Sequence, residues 1–192
     1  MKMFKDLVVG IDEAGRGPLC GPLVACAFCF KKKISKNLEI KDSKKINFLK
    51  REEMFDILVK RGIFSLVVVN PSQIDRLNIL EATMLAFNRA IKGIIKRAPF
   101  LKEALFVIDG NIFKTNLKVN YICIKKADEK IREVASASII AKVFRDYLMG
   151  VLDFLYPHWG LAKHKGYPTR LHKELLKEKG LTPFHRRSFL NG

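Results

Sequence analysis

Cysteine is scarce in this sequence, and its positions exclude the structures that cysteines most often build. Only Cys20, Cys26, Cys29 and Cys123 occur in 192 residues, and they provide no second close pair to complete a zinc site or a disulfide framework. Cys26 and Cys29 share an apolar run, where a separation of three residues on a strand sends two side chains to opposite faces. These two thiols therefore cannot bind one metal ion, and we expect the cysteines to be core residues of a reduced, intracellular protein.

Long apolar runs are also missing. The basic first six residues are followed by an apolar stretch of only five, which is too short for a signal peptide, and no run approaches the roughly 20 residues that span a membrane. Nothing resembles an internal repeat or a linker rich in proline, glycine or serine, so the chain predicts one domain over residues 1–192. We expect that domain to be soluble, cytoplasmic and monomeric, with no membrane contact.

Acidic residues are few: 19 Asp and Glu stand against 36 Lys and Arg, which gives a formal net charge of +17. Such a field favours a polyanionic partner through steering and counterion release, and we expect that partner to be nucleic acid. A solvated basic face without a partner would also account for the charge. The excess is large in residues 157–192, which carry eight Lys or Arg and two Glu, so we expect this helical and loop segment to contribute to substrate binding.

The spacing of apolar residues predicts a mixed α/β fold. Runs rich in β-branched residues predict five strands, at 7–11, 23–30, 64–69, 104–108 and 119–124. Helical periodicity predicts helices at about 47–61, 79–97, 128–155 and 169–179, the last ended by Gly180. Because two strands come first and later strands alternate with helices, we expect a five-stranded sheet flanked by helices. The first two strands then form a hairpin, and later strands return through right-handed crossovers.

Carboxylates mark the carboxyl ends of three of these strands. Asp12 and Glu13 follow the first strand, Asp109 follows the fourth and Asp128 follows the fifth. Ligands of such sheets gather at strand ends, so we expect Asp12, Glu13 and Asp109 at one rim, where isolated anions are costly unless a cation offsets them. Two simpler roles stay open: Asp109 as a turn residue that bonds its own backbone, and Asp128 as the N-cap of the long helix.

Four carboxylates without histidine or cysteine are hard oxygen ligands, which suit Mg²⁺ or Mn²⁺ and disfavour zinc. Two such ions about 4 Å apart activate a water and stabilise the leaving oxygen of a displacement at phosphorus, without help from histidine. The four histidines of this chain all lie after residue 157, in agreement with that chemistry. A basic rim around an acidic centre therefore indicates an enzyme that holds a phosphate backbone and cuts it with metal.

The glycines beside the first two acids form neither of the familiar nucleotide-binding loops. Segment 10–17 has Arg16 and Gly17 where a P-loop has Lys and Ser or Thr, and its acids would repel phosphate. It is not a dinucleotide fingerprint either, because Pro18 follows and the next glycine, Gly21, comes one residue late. We therefore expect the segment to have a function other than those of the P-loop and the dinucleotide-binding loop.

Seven blocks in chain order resemble ribonuclease HII and cover nearly the whole chain. They are GIDEAGRGP (10–18), DSKK (42–45), NILEATM (78–84), IDGN (108–111), ASIIAKV (137–143), HKGYPT (164–169) and HRRSF (185–189). The related ribonuclease HIII is less similar, because it lacks the arginine between the two glycines and carries an extra N-terminal domain.

The resemblance implies a ribonuclease H-like fold and a defined activity. Enzymes of this family hydrolyse the RNA strand of RNA/DNA hybrids and cut 5′ of single ribonucleotides embedded in duplex DNA, leaving 3′-hydroxyl and 5′-phosphate ends, in ribonucleotide excision repair and RNA primer removal. By position, Asp12, Glu13, Asp109 and Asp128 match the catalytic, metal-binding quartet. The resemblance implies that this quartet holds two Mg²⁺ or Mn²⁺ ions when substrate is bound.

The resemblance also implies substrate contacts. Gly15-Arg16-Gly17 matches the sensor of the ribose 2′-hydroxyl at an RNA-to-DNA junction, where glycines let the backbone approach the sugar. Tyr167 matches the tyrosine that packs on the neighbouring deoxyribose, although a Tyr between Gly and Pro is by itself typical of a loop. Seven cations in matching blocks are expected to hold phosphates: Lys44, Lys45, Lys142, His164, Lys165, Arg186 and Arg187. No sliding-clamp peptide is evident after the last block.

Two other functions stay open at this point. Another metal nuclease of the same broad fold, such as a junction resolvase or an integrase-like transferase, also uses carboxylates at strand ends, but the glycine-arginine-glycine loop argues against it. A non-catalytic basic binding protein of the ribosomal kind accounts for the charge and leaves the acidic cluster unexplained.

Overall fold

Five strands form one mixed sheet in the computed structural model, which describes residues 7–32, 40 and 47–190. The strands are β1 (Val8–Ala14), β2 (Leu23–Phe30), β3 (Gly62–Val69), β4 (Leu105–Asp109) and β5 (Asn120–Ile124). Their order across the sheet is β3-β2-β1-β4-β5. β1 pairs antiparallel with β2 and parallel with β4, which in turn pairs parallel with β5. The predicted initial hairpin and the mixed sheet are confirmed.

Helices cover both faces of this sheet. They are α1 (Phe48–Arg61), α2 (Pro71–Leu77), α3 (Ile79–Arg97), α4 (Arg132–Leu155), α5 (Leu161–His164) and α6 (Arg170–Lys179). The two short helices were not predicted, although Asn70 and Pro71 supply the N-cap and first-turn proline that open α2. α6 ends at Gly180 as predicted, with φ +75°.

The start of the long helix differs from the prediction. Residues Ala127–Glu129 form a short 3-10 turn, and α4 begins only at Arg132. Its N-cap is Ile131, which makes no side-chain capping bond. The alternative role of Asp128 as N-cap of this helix is therefore wrong, and its carboxylate lies in the turn that precedes the helix.

Two apolar layers hold the sheet between its helices. α3 buries one stripe against Val9, Ile11 and Cys29, whereas α4 and α1 pack on the opposite face against Cys26 and Phe28. Cys26 and Cys29 thus lie on opposite faces, as their spacing predicts. All four thiols are free; Cys123 alone among them is only half-buried. In the described part of the chain, no helix is long and apolar enough to cross a membrane.

Gly10 brings α4 into direct contact with β1. A Cβ atom added at Gly10 would overlap the main chain of Glu133 and Val134, in the first turn of the helix, so only glycine allows this approach. Two residues further along β1 lies Asp12, and about one turn further along α4 lies Ser138. This close packing fixes the distance between helix and strand at the point where the acids are placed.

Candidate active site

Three of the predicted acids meet at the junction of β1 and β4. Ile11 and Ile108 are register partners on these parallel strands, so Asp12 and Asp109 occupy equivalent next positions. β1 extends to Ala14, which places Asp12 and Glu13 within the strand rather than after it. Asp12, Glu13 and Asp109 line one cleft of about 360 Å³. The expectation that strand ends gather these side chains is therefore met.

The electrostatics of the cleft centre on Asp12, which is only 4% exposed. Burial, followed by the negative charges of Glu13 and Asp109, raises the pKa of Asp12 well above its usual value. Two hydrogen bonds oppose this rise: one from Ser138, and one from the Glu13 amide, which donates to Asp12 Oδ1 over 2.7 Å. These donors thus offset the effects of burial and of the neighbouring negative charges on Asp12 only in part.

The turn that carries Asp128 is bonded to the same region, although Asp128 is not among the described residues that line the cleft. The amide of Ala127 donates to Asp109 Oδ1 over 2.7 Å, which fastens the turn carrying Asp128 to the end of β4. Asp128 itself is 2% exposed. The Asp109 carboxylate thus bonds the neighbouring turn, a contact that the simpler role of a self-bonded turn residue does not include.

A divalent cation fits this donor set. Among the described residues, the acids lining the cleft are joined there by no cysteine and no histidine, and a bound cation would oppose the burial and the repulsion that raise the pKa of Asp12. In the described ranges, no three or more His, Cys, Asp or Glu side chains converge closely enough to hold an ion by themselves. Mg²⁺ keeps several waters and binds one or two carboxylates plus substrate phosphates, so the site suits a cation completed by water and substrate.

Residues 15–17, hereafter the GRG loop, form one wall of the cleft. Gly15 has φ +99°, and a Cβ there would overlap the side chain of Arg145, so the fold itself requires this glycine. Gly17 differs, because an added Cβ would meet only the ring of Tyr167, at 3.9 Å. Between them, the Arg16 guanidinium lies 3.7 Å from the Glu13 carboxylate and joins the loop to the acids.

Tyr167 lies next to Gly17 in the wall of the cleft. Its position depends on Gly166, which has φ +80° and packs so tightly on the main chain of Cys20 that a Cβ would overlap it. The Leu19 amide donates to the Gly166 carbonyl over 2.8 Å and pairs the two loops. Tyr167 is 43% exposed and lines the cleft.

The predicted phosphate-binding cations among the described residues divide into two groups, and the side chains of the first group are exposed or half-buried. Lys142 lines the cleft and donates to Asp146 Oδ1 over 2.6 Å; burial, opposed by that carboxylate, lowers its pKa. Lys165 is half-buried and donates to the Asp146 carbonyl over 3.3 Å. Arg187 is exposed. Lys44 and Lys45 lie outside the described residues.

Two other predicted phosphate contacts do not agree with the structure, because their side chains are buried. His164 is 7% exposed; its Nε2 bonds the Trp159 carbonyl over 2.7 Å and its Nδ1 accepts from the Gly166 amide over 3.1 Å. Both ring nitrogens are therefore used inside the protein. Arg186 is fully buried and bonds main-chain carbonyls beneath the GRG loop. The positive charge of Arg186 predicted a position on the surface, but the structure buries this side chain.

Three further residues of the cleft were not singled out from the sequence: Arg51, Ser138 and Arg145. Ser138 could have been found, since it lies in one of the matching blocks and a short polar residue in an apolar helix calls for a partner. Arg145 had no such signal. Its bonding partners include the carbonyl of Pro22, 123 residues away in the chain, and nothing local foretells that contact.

Comparison with known proteins gives a consistent result. Residues 9–192 match the family model described as Ribonuclease HII. Ribonuclease HII of Pelodictyon phaeoclathratiforme is 43% identical over 188 residues, covering 95% of this chain and 89% of that protein. RNase HII of Archaeoglobus fulgidus, solved in a complex with PCNA, has a TM-score of 0.78 at 28% identity over 94% of each chain.

A more distant structure shares the fold alone. Bst-RNase HIII, solved in complex with Mn²⁺, has a TM-score of 0.75 at 19% identity, covering 93% of this chain and 64% of that chain. The family match, the identity to the Pelodictyon protein and the shared ribonuclease H fold agree with the acids at the β1–β4 junction. This chain belongs to the ribonuclease HII family and is a ribonuclease H endonuclease.

Proposed function

We propose that this enzyme hydrolyses the RNA strand of RNA/DNA hybrids and cuts 5′ of single ribonucleotides embedded in duplex DNA, leaving 3′-hydroxyl and 5′-phosphate ends. Such an activity would serve ribonucleotide excision repair and RNA primer removal. One observation carries the proposal: three of the acids (Asp12, Glu13 and Asp109), the GRG loop and Tyr167 line a single cleft. A loop that can read one sugar thus lies beside the groups that would cut its phosphate.

Gly17 supports the reading role of the loop. Packing does not require a glycine there, since an added Cβ would find only the Tyr167 ring, at 3.9 Å. The glycine therefore keeps this surface of the cleft free of a side chain, and a ribose placed against Gly17 and Tyr167 would meet backbone donors of the loop and an aromatic ring. A 2′-hydroxyl is the group by which such a site distinguishes RNA from DNA.

The acids would hold the metal. We propose that Asp12, Glu13, Asp109 and Asp128 bind two Mg²⁺ or Mn²⁺ ions when substrate is present. When bound, the ions would supply activation of a water and stabilisation of the leaving 3′ oxygen. Ser138 and the Glu13 amide orient Asp12 by hydrogen bonds, and the Ala127 amide orients Asp109.

Lys142, Lys165 and Arg187 would hold the phosphate backbone of the substrate. Lys142, kept in place by Asp146 at 2.6 Å, lines the cleft, and Lys165 contacts the same residue by donating to the Asp146 carbonyl over 3.3 Å. Contacts to phosphate fix register and supply affinity without reading sequence. We propose that the enzyme acts on its substrate as a monomer.

A labelled DNA duplex with one ribonucleotide tests the proposal, with the all-deoxy duplex as its control. We expect cleavage at the ribonucleotide that depends on added Mg²⁺ or Mn²⁺ and no cleavage of the control. Equal cleavage of both duplexes would favour a resolvase-like nuclease. Absence of cleavage, together with no calorimetric Mg²⁺ binding, would favour a basic binding protein.

A further inference from the structure

Arg186 lies beneath the GRG loop with its side chain fully buried. Its guanidinium donates four hydrogen bonds to main-chain carbonyls: Nη2 to Gly15 at 2.6 Å, Nη1 to Arg16 at 3.0 Å, and Nε and Nη2 to Gly21 at 3.0 and 2.8 Å. The contacts join residue 186 to residues about 170 positions earlier. A side chain from the C-terminal part of the chain thus supports the loop that follows β1.

The main chain around Arg186 is fixed to the same segment. Its amide donates to the Leu19 carbonyl over 2.8 Å, and the Gly21 amide donates to the Phe184 carbonyl over 2.8 Å. Arg186 also lies over the ring of Phe189, 5.2 Å from its centroid. The guanidinium therefore has little freedom, and its fork is held at one orientation toward the loop.

A second buried guanidinium, that of Arg145, bonds the main chain near the GRG loop. Arg145 on α4 donates to the carbonyls of Pro22, Cys20 and Lys165 over 2.9, 3.2 and 3.0 Å. Burial first, and then the charge of Arg145, lowers the pKa of Arg186 to about 9, so the group is still charged at neutral pH. Two buried like charges are costly. Carbonyl bonding offsets that cost, and the geometry of the loop depends on it.

The direction of these carbonyls determines where the loop amides point. In a trans peptide the C=O of one residue and the N–H of the next point in opposite directions, and the chain has no cis peptide among its described residues. Because the carbonyls of Gly15 and Arg16 point at the guanidinium, the amides of Arg16 and Gly17 point away from it. Arg186 thus orients two donors of the loop that faces the cleft.

We propose that Arg186 is a positioning residue for ribonucleotide discrimination: it holds the GRG loop so that its amides read the 2′-hydroxyl. This inference rests on the function proposed above. It assigns to Arg186 a specificity role in place of the phosphate contact expected from its charge. Lysine cannot substitute, since one ammonium cannot span three carbonyls as the planar fork does.

Binding measured without cleavage tests this role. In the full chain carrying Asp109→Asn, the dissociation constants of a one-ribonucleotide duplex and an all-deoxy duplex give a discrimination ratio. We expect Arg186→Lys to lower that ratio by about tenfold or more, equivalent to about 1.4 kcal/mol, while the all-deoxy dissociation constant changes less than threefold by comparison. Arg170→Lys, at an exposed ion pair on α6, is the matched control and should leave both values unchanged.

The possible outcomes distinguish failure of this inference from failure of the proposed function on which it rests. A parent that binds both duplexes equally contradicts the proposed function, whereas a parent that discriminates and an Arg186→Lys variant that discriminates equally overturn the role of Arg186 alone. Parallel loss of both affinities with loss of thermal stability would make Arg186 merely structural. If the lysine variant does not fold, Arg186→Ala with millimolar guanidinium chloride, compared with equal sodium chloride, replaces it. Recovery of the discrimination ratio with guanidinium chloride but not with sodium chloride supports the proposal. Equal recovery with both salts, or recovery with neither, overturns it.

Discussion

Gly17 faces the ring of Tyr167, with 3.9 Å, an ordinary van der Waals separation, between Tyr167 Cε1 and the position that a Cβ of residue 17 would take. The φ angle of Gly17 is not in the left-handed region, unlike that of Gly15. Backbone conformation and packing therefore require a glycine at position 15 but not at position 17.

Gly17→Ala should separate folding from cleavage. We expect the free energy of unfolding to be unchanged or to rise by about 0.4–1 kcal/mol, since alanine restricts the unfolded chain, while cleavage at a single ribonucleotide falls about tenfold or more because the methyl group occupies the sugar space. Urea unfolding and a single-turnover assay measure the two effects. Gly15→Ala is the contrast, because it should destabilise the fold. Full cleavage by Gly17→Ala would refute a sugar contact at this position.

Asp109→Asn should keep the fold and abolish turnover. Asparagine is nearly isosteric, and its Oδ1 can still accept from the Ala127 amide, as Asp109 does at 2.7 Å. The charge that would face a metal is lost, so we expect activity to fall by more than the roughly 10–100-fold typical of an outer partner of a metal ligand. Matched thermal unfolding curves and cleavage assays test this. Activity within tenfold of the parent enzyme would show that Asp109 does not bind metal.

Much of this site could be predicted from the sequence because it depends on local pattern. Apolar runs located the strands, and parallel pairing of β1 with β4 then brought Asp12 and Asp109 together. The supports of the GRG loop could not be found in that way. Arg145 and Arg186 look like surface cations in the sequence, and only the fold supplies the distant carbonyls that let a guanidinium be buried.

His172 and His185 also have partners that the sequence does not reveal. They form a network of hydrogen bonds that ends at the Tyr167 carbonyl. The Thr182 amide donates to His185 Nδ1 over 2.9 Å, so the proton of His185 is on Nε2, which donates to His172 Nε2 over 2.9 Å. His172 Nδ1 in turn donates to the Tyr167 carbonyl over 2.9 Å. A proton added to His172 Nε2 or to His185 Nδ1 would set two N–H groups against each other.

This network predicts loss of stability in acid. Burial lowers the pKa of His172, and burial followed by His172 lowers that of His185 to about 4. Because unfolded histidines titrate near pH 6.5, the unfolded chain takes up protons first, and stability declines as pH falls from about 6.5 toward 4, by at most about 1.4 kcal/mol per pH unit for each histidine. Urea unfolding across this range measures the slope.

A substitution pair tests whether the network causes that slope. His185→Gln removes one titrating group and should flatten the decline, whatever it does to absolute stability. His158→Asn, at an exposed position with φ +75° that asparagine tolerates, should leave the slope unchanged. Equal slopes in the His185 variant and the parent would assign the acid sensitivity to carboxylates instead.

Salt should act differently on affinity and on discrimination. The net charge of +17 and the exposed cations around the cleft predict that log K for a hybrid duplex falls linearly with log salt, with a slope of roughly −0.9 per phosphate neutralised. In the proposed function, discrimination would rest on short hydrogen bonds to one 2′-hydroxyl, which salt screens little. The ratio of affinities for the one-ribonucleotide and all-deoxy duplexes should therefore stay nearly constant while both affinities decline. Fluorescence anisotropy titrations at a series of salt concentrations measure both quantities. A ratio that vanishes as salt rises would mean that electrostatics or duplex shape discriminates, and the GRG loop would then have no reading role for Arg186 to support.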